Sequence, residues 1–340
     1  MKKYVVLLAL TCVVTLAGVS MVIYKMVFSP HIDSEDFNIY IHPGHKTDYV
    51  LEQIEEKNGK ESFTGLRLVF RLRDFESKIK SGCYSIKRGD SAHDIYLRLA
   101  NGNQTPVNLV VKSTRTVQKM ASNMAEQIMA DSTEITGLLT DSLFLDSLGY
   151  STATVFAMIV PNTYQVYWNS SAKTIVVRLA KESERFWNTK RTEKAQLIGM
   201  SRLQVVTLAS IVEEETSKLN ELAVVAGLYM NRLKRGMPLQ ADPTVIFALG
   251  GERPKRVLQT HLNVDSPYNT YRNSGLPPTP IRFVNIASIE AVLNYAHHDY
   301  LYMCAKEDFS GYHNFSRTLS QHNVNAARYR RALSANGQRR

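Results

Sequence analysis

Three cysteines in 340 residues, Cys12, Cys83 and Cys304, are too few and too scattered for a disulfide scaffold or a four-thiolate zinc site. Proline (11) and glycine (17) are scarce, which excludes collagen-like and low-complexity chains. Acid is in deficit. The 31 Asp and Glu against 41 Lys and Arg leave a net charge of +10, which points to an anionic partner: nucleic acid, lipid headgroups or an acidic polymer. Also missing are G-x-S-x-G, the P-loop, H-E-x-x-H and C-x-x-C. The nine histidines do not adopt ligand spacing, so neither a metal nor another cofactor is expected. At 44% hydrophobic and 21% charged the chain is compositionally globular, and its length allows about two domains.

An uncharged, strongly apolar run lies at the N-terminus, from Tyr4 to Tyr24, between Lys2-Lys3 and Lys25. About 20 helical residues cover a ~30 Å hydrocarbon core, and the run exceeds the roughly 7–15 apolar residues of a cleaved signal. Met21, Val22 and Ile23 extend it past the small residues Ala17, Gly18 and Ser20, the poor cleavage site on offer. The expectation is an uncleaved single-pass anchor over residues 1–28 in the cytoplasmic (inner) membrane. The lysines before it and Asp33, Glu35 and Asp36 after it put the N-terminus in the cytoplasm and the rest outside. That topology argues against nucleic acid as the partner.

Beyond the anchor, residues 37–50 read as a short strand, a Pro43-Gly44 turn and the start of a helix. Residues 82–101 repeat the pattern, with Asp90 or Ser91 as N-cap and Gly102 as stop, and strand character resumes at 106–111. A small α+β module over 29–110 follows from this. The remainder, 111–340, reads as mainly helical α+β, with helices over 113–137, 173–188, 202–235, 285–297 and 321–333, and a basic tail over 334–340. The Met-rich stripe of 113–137 is core packing, not a metal site.

Within the 202–235 helix lies ASIVEEETSK (209–218), against an apolar stripe of Val205, Leu208, Val212, Leu219 and Leu222. Successive glutamates point about 100° apart, so the three cannot share an environment. Glu214 has Ser210 and Lys218 one turn away on either side, the pattern of a solvated ion pair. Glu213 has a mixed face. Glu215 sits on the stripe itself, where lost hydration raises its pKa toward that of a tuned general acid. The alternative for Glu215 is an ion pair with Arg232 or Lys234.

Polar loops surround this helix. QADPTVIFALGG (240–251) has Asp242 as N-cap, Pro243 at the first helical position and Gly250 as stop. SPYNTYRNSGLPPTPI (266–281) and GYHNFSRTLSQHN (311–323) hold planar and amide side chains suited to a sugar.

Together with PNTY (161–164) and NRLKRGMPLQADPTVIFALG (231–250), these segments resemble the endolytic murein transglycosylase (YceG-like) family over essentially the whole chain. The resemblance makes 82–102 part of a LysM-like module and 111–340 a lytic transglycosylase domain. It implies that Glu215, the second glutamate of the family's A-S-I-[IV]-E-x-E-T motif, acts first as general acid and then as base, taking the muramyl C6 hydroxyl proton, to cleave the β-1,4 bond between N-acetylmuramic acid and N-acetylglucosamine of nascent peptidoglycan. The products are 1,6-anhydromuramyl ends, strand length is limited, and membrane peptidoglycan synthases are partners. Candidate substrate contacts are Tyr164, Gln240, Asp242, Thr244, Asn269, Tyr271, His313 and Asn323. Asn162 departs from the family's Pro-Asp-Thr-Tyr, and Ala296-His297-His298-Asp299 lacks its usual proline. Two other readings stand beside it. One is a hydrolase using Glu215 with a second carboxylate such as Asp242; the other is a non-catalytic wall-binding scaffold.

Overall fold

The computed structural model describes residues 2–59, 63–250, 258–335 and 337. Gly251 and most of the expected basic tail, residues 336 and 338–340, lie outside them. The chain divides into two compact units, Met1–Leu109 with Gln165–Ser171, and Val110–Tyr164 with Ala172–Arg340. The fold is mixed helix and strand with one N-terminal apolar helix.

In the first unit, α1 (Lys2–Phe28) is 27 residues, about 40 Å at 1.5 Å per residue, and buries none of them. Its last turn is held by the module that follows. His31 Nε2 donates to the Met26 carbonyl at 2.8 Å, and a Cβ on Gly65 would lie 2.0 Å from that same oxygen. Then come β1 (Phe37–Ile41), α2 (Thr47–Asn58), α3 (Thr64–Leu72), β2 (Gly82–Ile86), α4 (Ala92–Asn101) and β3 (Val107–Val110). β1 pairs antiparallel with β2, Ile39 opposite Tyr84. Their inward residues close a core with Ile54, Leu66, Phe70 and Ile95. Ser91 caps α4 through a reciprocal box with Asp94, and Gly102 ends it at φ 73° in the left-handed region, both at the positions expected.

The second unit contains α5 (Val117–Ala125), α6 (Ser132–Thr140), α7 (Ser142–Asp146) and α8 (Val155–Met158), followed in the chain by β4 (Thr163–Val166). After these come α9 (Ala172–Phe186), α10 (Thr189–Leu197), α11 (Arg202–Glu215), α12 (Leu222–Lys234), α13 (Asp242–Ala248) and α14 (Ile286–Leu293). The antiparallel pair β5 (Tyr302–Ala305) and β6 (His313–Ser316) and the terminal α15 (Leu319–Ala335) complete it. α11 is the central helix: every residue from Val205 to Val212 is buried, against α12, α13 and α14.

Two expected long helices are broken. Residues 113–137 divide because Asp131 accepts from Thr133 N at 2.6 Å and caps α6, a local bond that competes with continuing the helix. Residues 202–235 divide at Thr216, which turns extended (φ −141°, ψ 139°). Its hydroxyl bonds Glu221 Oε2 and the Lys218 amide in place of helical bonds. Leu219, expected on the apolar stripe, is in consequence 76% exposed. The helix expected over 285–297 stops at Leu293.

Candidate active site

α11 ends on its three glutamates, and each finds a different environment. Glu213 accepts from Ser113 Oγ (2.6 Å) and from the backbone and side-chain nitrogens of Asn285 (2.7 and 2.9 Å). Glu214, with only 6% of its side chain exposed, is bound by both Arg115 and Arg282. The expected solvated pair with Lys218 does not form. The helix stops at Glu215, so Lys218 is no longer one turn ahead and lies instead over the Tyr312 ring, 4.8 Å away.

Glu215 faces a cavity of 260 Å³ whose wall also includes Tyr229 and Arg232 from α12, Gln240, Asp242, Tyr271, Cys304 and His313. The protein packed around its carboxyl raises the pKa from 4.5 to about 7. The Tyr229 hydroxyl bonds it and works in the opposite direction, as does Arg232, whereas the charges of Asp242 and Glu214 add to the rise. Its position at a helix C-terminus, the negative end of the macrodipole, also disfavours ionisation. Tyr229 in turn is held far above its usual range by burial and by Glu215.

Among the described residues, neither Arg232 nor Lys234 forms an ion pair with Glu215. The buried Arg232 guanidinium spends its donors on the carbonyls of Leu301 (2.7 Å) and Leu239 (2.8 Å), and Lys234 donates to the Tyr295 hydroxyl (2.8 Å). Among the described residues, the cavity therefore holds an acid with no ion-pair partner, near an Arg232 whose Nε and Nη1 are held by backbone carbonyls. Such a site can deliver a proton near neutral pH.

Asp242 is not the N-cap of α13: Ala241 takes that position without a side-chain bond, and Asp242 is the first helical residue. Its carboxylate is thus free to face the cavity and accepts from the Tyr271 hydroxyl at 2.6 Å. Burial and that bond push the Tyr271 hydroxyl upward. Gln240 holds a left-handed backbone, φ 51°, strained for a residue with a side chain, at the point where the chain enters this wall.

The sequence candidates separate accordingly. Gln240, Asp242, Tyr271 and His313 line the cavity with Glu215. Thr244 is fully buried, bonded to the Ala241 carbonyl and the Thr270 hydroxyl. Asn269 is fully buried too; it ties the loop by donating to the Leu262 and Val264 carbonyls and accepts from the Tyr271 amide, so it supports Tyr271 from behind. The Tyr164 hydroxyl bonds the Val160 carbonyl and is pushed up to about 12 by burial. Asn323 is exposed on α15. None of these four is part of the cavity lining. The sequence reading missed Tyr229 and Glu221. Tyr229 was findable, since it lies four residues after Val225 and three before Arg232 on the α12 face turned to Glu215.

Residues 39–328 match the YceG-like family profile. An endolytic murein transglycosylase of Bacillus subtilis is 30% identical over 270 residues, which is 74% of this chain and 74% of the relative. One of Streptococcus pneumoniae is 24% identical over 262 residues, 67% of this chain, which spans about half (46%) of that longer protein. A crystal structure of a yceG-like protein from Listeria monocytogenes superposes with a TM-score of 0.59 at 27% identity, covering 85% of this chain and 98% of its own. With the family profile spanning most of its length and a relative 30% identical over 74% of both chains, this chain belongs to the YceG-like family.

Proposed function

We propose that the protein is a membrane-anchored endolytic murein transglycosylase. It cuts the β-1,4 bond between N-acetylmuramic acid and N-acetylglucosamine in nascent glycan strands and leaves 1,6-anhydromuramyl ends. Glu215 protonates the bridging oxygen, and its carboxylate is the final acceptor of the proton lost by the muramyl 6-hydroxyl, which closes onto C1. No water is consumed. The nucleophile is tethered to the substrate, so one carboxylate suffices. A positioned acid of this kind supplies about 10²–10⁴-fold, and ring distortion the rest.

The observation that carries this reading is the Glu215 carboxyl itself, raised to about 7 in an open cavity with no ion-pair partner among the described residues. Gln240, Asp242, Tyr271 and His313 are the proposed glycan contacts. Residues 1–28 serve as anchor with the N-terminus in the cytoplasm, 29–110 as a LysM-like module and 111–340 as the catalytic domain. The enzyme limits strand length beside membrane peptidoglycan synthases, and its positive charge suits a polymer bearing peptide carboxylates.

The hydrolase reading draws support from Asp242, which opens onto the same cavity and could activate water. The products decide between them. Mass analysis of glycan released by the full chain in detergent should give anhydro ends with the native protein and none with Glu215→Gln. Reducing ends would support the hydrolase, and normal turnover by the variant would overturn both.

A further inference from the structure

A buried carboxylate is bonded to His313 of the cavity wall, and the proposed function leaves it without a task. Glu221, the residue before α12, is 6% exposed. Its Oε1 accepts from the His313 amide at 2.8 Å, and its Oε2 from His313 Nδ1 at 2.9 Å and from the Thr216 hydroxyl at 3.1 Å. With donors converging on it, the Glu221 carboxylate can only accept, so Nδ1 must carry the ring hydrogen. In the neutral ring Nε2 is then a lone-pair acceptor. His313 lines the same cavity as Glu215, and Nε2 has no hydrogen-bond partner among the described residues. The break that ends α11 creates this arrangement: Thr216 and Glu221 are the two ends of the linker to α12, and β6 brings His313 to them.

We propose that His313 is the group that first takes the proton of the attacking sugar hydroxyl, and that Glu221 is a positioning residue fixing its tautomer and stabilising the imidazolium. This rests on the lytic reading above. In the step, the O6–H bond breaks and its proton passes to Nε2, while the freed electron pair forms the O6–C1 bond. The bonding pair between C1 and the bridging oxygen leaves with that oxygen, which takes the Glu215 proton. The imidazolium then returns its proton to the Glu215 carboxylate, so acid and base are both restored and nothing is consumed. A base oriented by a buried carboxylate follows the logic of an activated nucleophile's partner, in which the third group sets tautomer and direction.

The test uses the full chain in detergent with purified glycan strands. His313→Gln should lower kcat by about 10²-fold with KM within about threefold, the signature of an interaction made in the transition state. Free imidazole added to His313→Ala should restore part of the lost kcat, which a purely structural role would not allow. Nitrogen-15 spectra of labelled imidazole should show the Nδ1–H tautomer in the native protein and a mixture in Glu221→Gln. Thermal melts identify any variant that has not folded, and the two His313 variants carry the test if Glu221→Gln fails. Native kcat in His313→Gln would overturn the proposal, as would an Nε2–H tautomer in the native protein. Either result leaves the role of Glu215 standing, because that role fails only if Glu215→Gln retains activity.

Discussion

Arg282 donates to Glu214 while its second terminal nitrogen lies 3.3 Å from Glu213, so one guanidinium holds two of the three consecutive glutamates away from the cavity. Only 15% of the Arg282 side chain is exposed, and the carboxylates are less exposed still. Removing it strands buried charge. Arg282→Met is expected to cost about 3–5 kcal/mol, read by urea denaturation of the second unit. A loss below 1 kcal/mol would mean that Arg115 and Ser113 satisfy both glutamates without it.

Glu215 should leave a mark on stability as well as on activity. Its folded pKa, about 7, lies above the ordinary 4.5, so the folded state holds this proton more tightly than the unfolded chain. Ionisation therefore costs nothing below about pH 4.5, and the cost grows as pH rises from there to about 7. Glu215→Gln should melt with the native protein at pH 4 and at a higher temperature at pH 8. A gap that is absent or reversed at pH 8 would contradict the raised pKa.

The Tyr229 hydroxyl opposes that rise by favouring the charged form of Glu215. In Tyr229→Phe the carboxyl should therefore titrate higher. The alkaline limb of the kcat profile is expected to move up in pH while the fold is retained. A limb that moves down would show that the hydroxyl acts mainly on the protonated acid.

Gly227 is placed where nothing larger fits. A Cβ there would lie 2.2 Å from the Ala296 carbonyl oxygen and 2.8 Å from His298 Nε2. Gly227→Ala should cost about 1–3 kcal/mol as α12 is pushed off the 296–298 segment. Because α12 carries Tyr229 and Arg232, kcat should fall too. Loss of stability with full activity would show that the cavity wall tolerates the shift.

How much of this could be read beforehand depended on whether a local rule or a tertiary one set the outcome. Ser91 and Gly102 bound α4 because capping needs only neighbouring residues. The periodicity of 205–212 marked a buried helix for the same kind of reason. The break at Thr216 could not be read that way, since it depends on Glu221 and on His313, 97 residues downstream of Thr216. Glu214 looked solvated because its partners Arg115 and Arg282 are distant in sequence. Asp242 looked like a cap because Asp-Pro is a strong cap signal, but Tyr271 claims its carboxylate. β5 and β6 are four residues each and mixed in polarity, too short for alternation to stand out.

The fit of Gly65 against Met26 has its own consequence. A span joined to its cargo by slack chain would let that cargo swivel and drift over the lipid. Here the last turn of the apolar helix is seated in the first unit, so with the helix in a bilayer, tilt or rotation of one is tilt or rotation of the other. The first unit would then keep one side toward the headgroups and a fixed standoff from them.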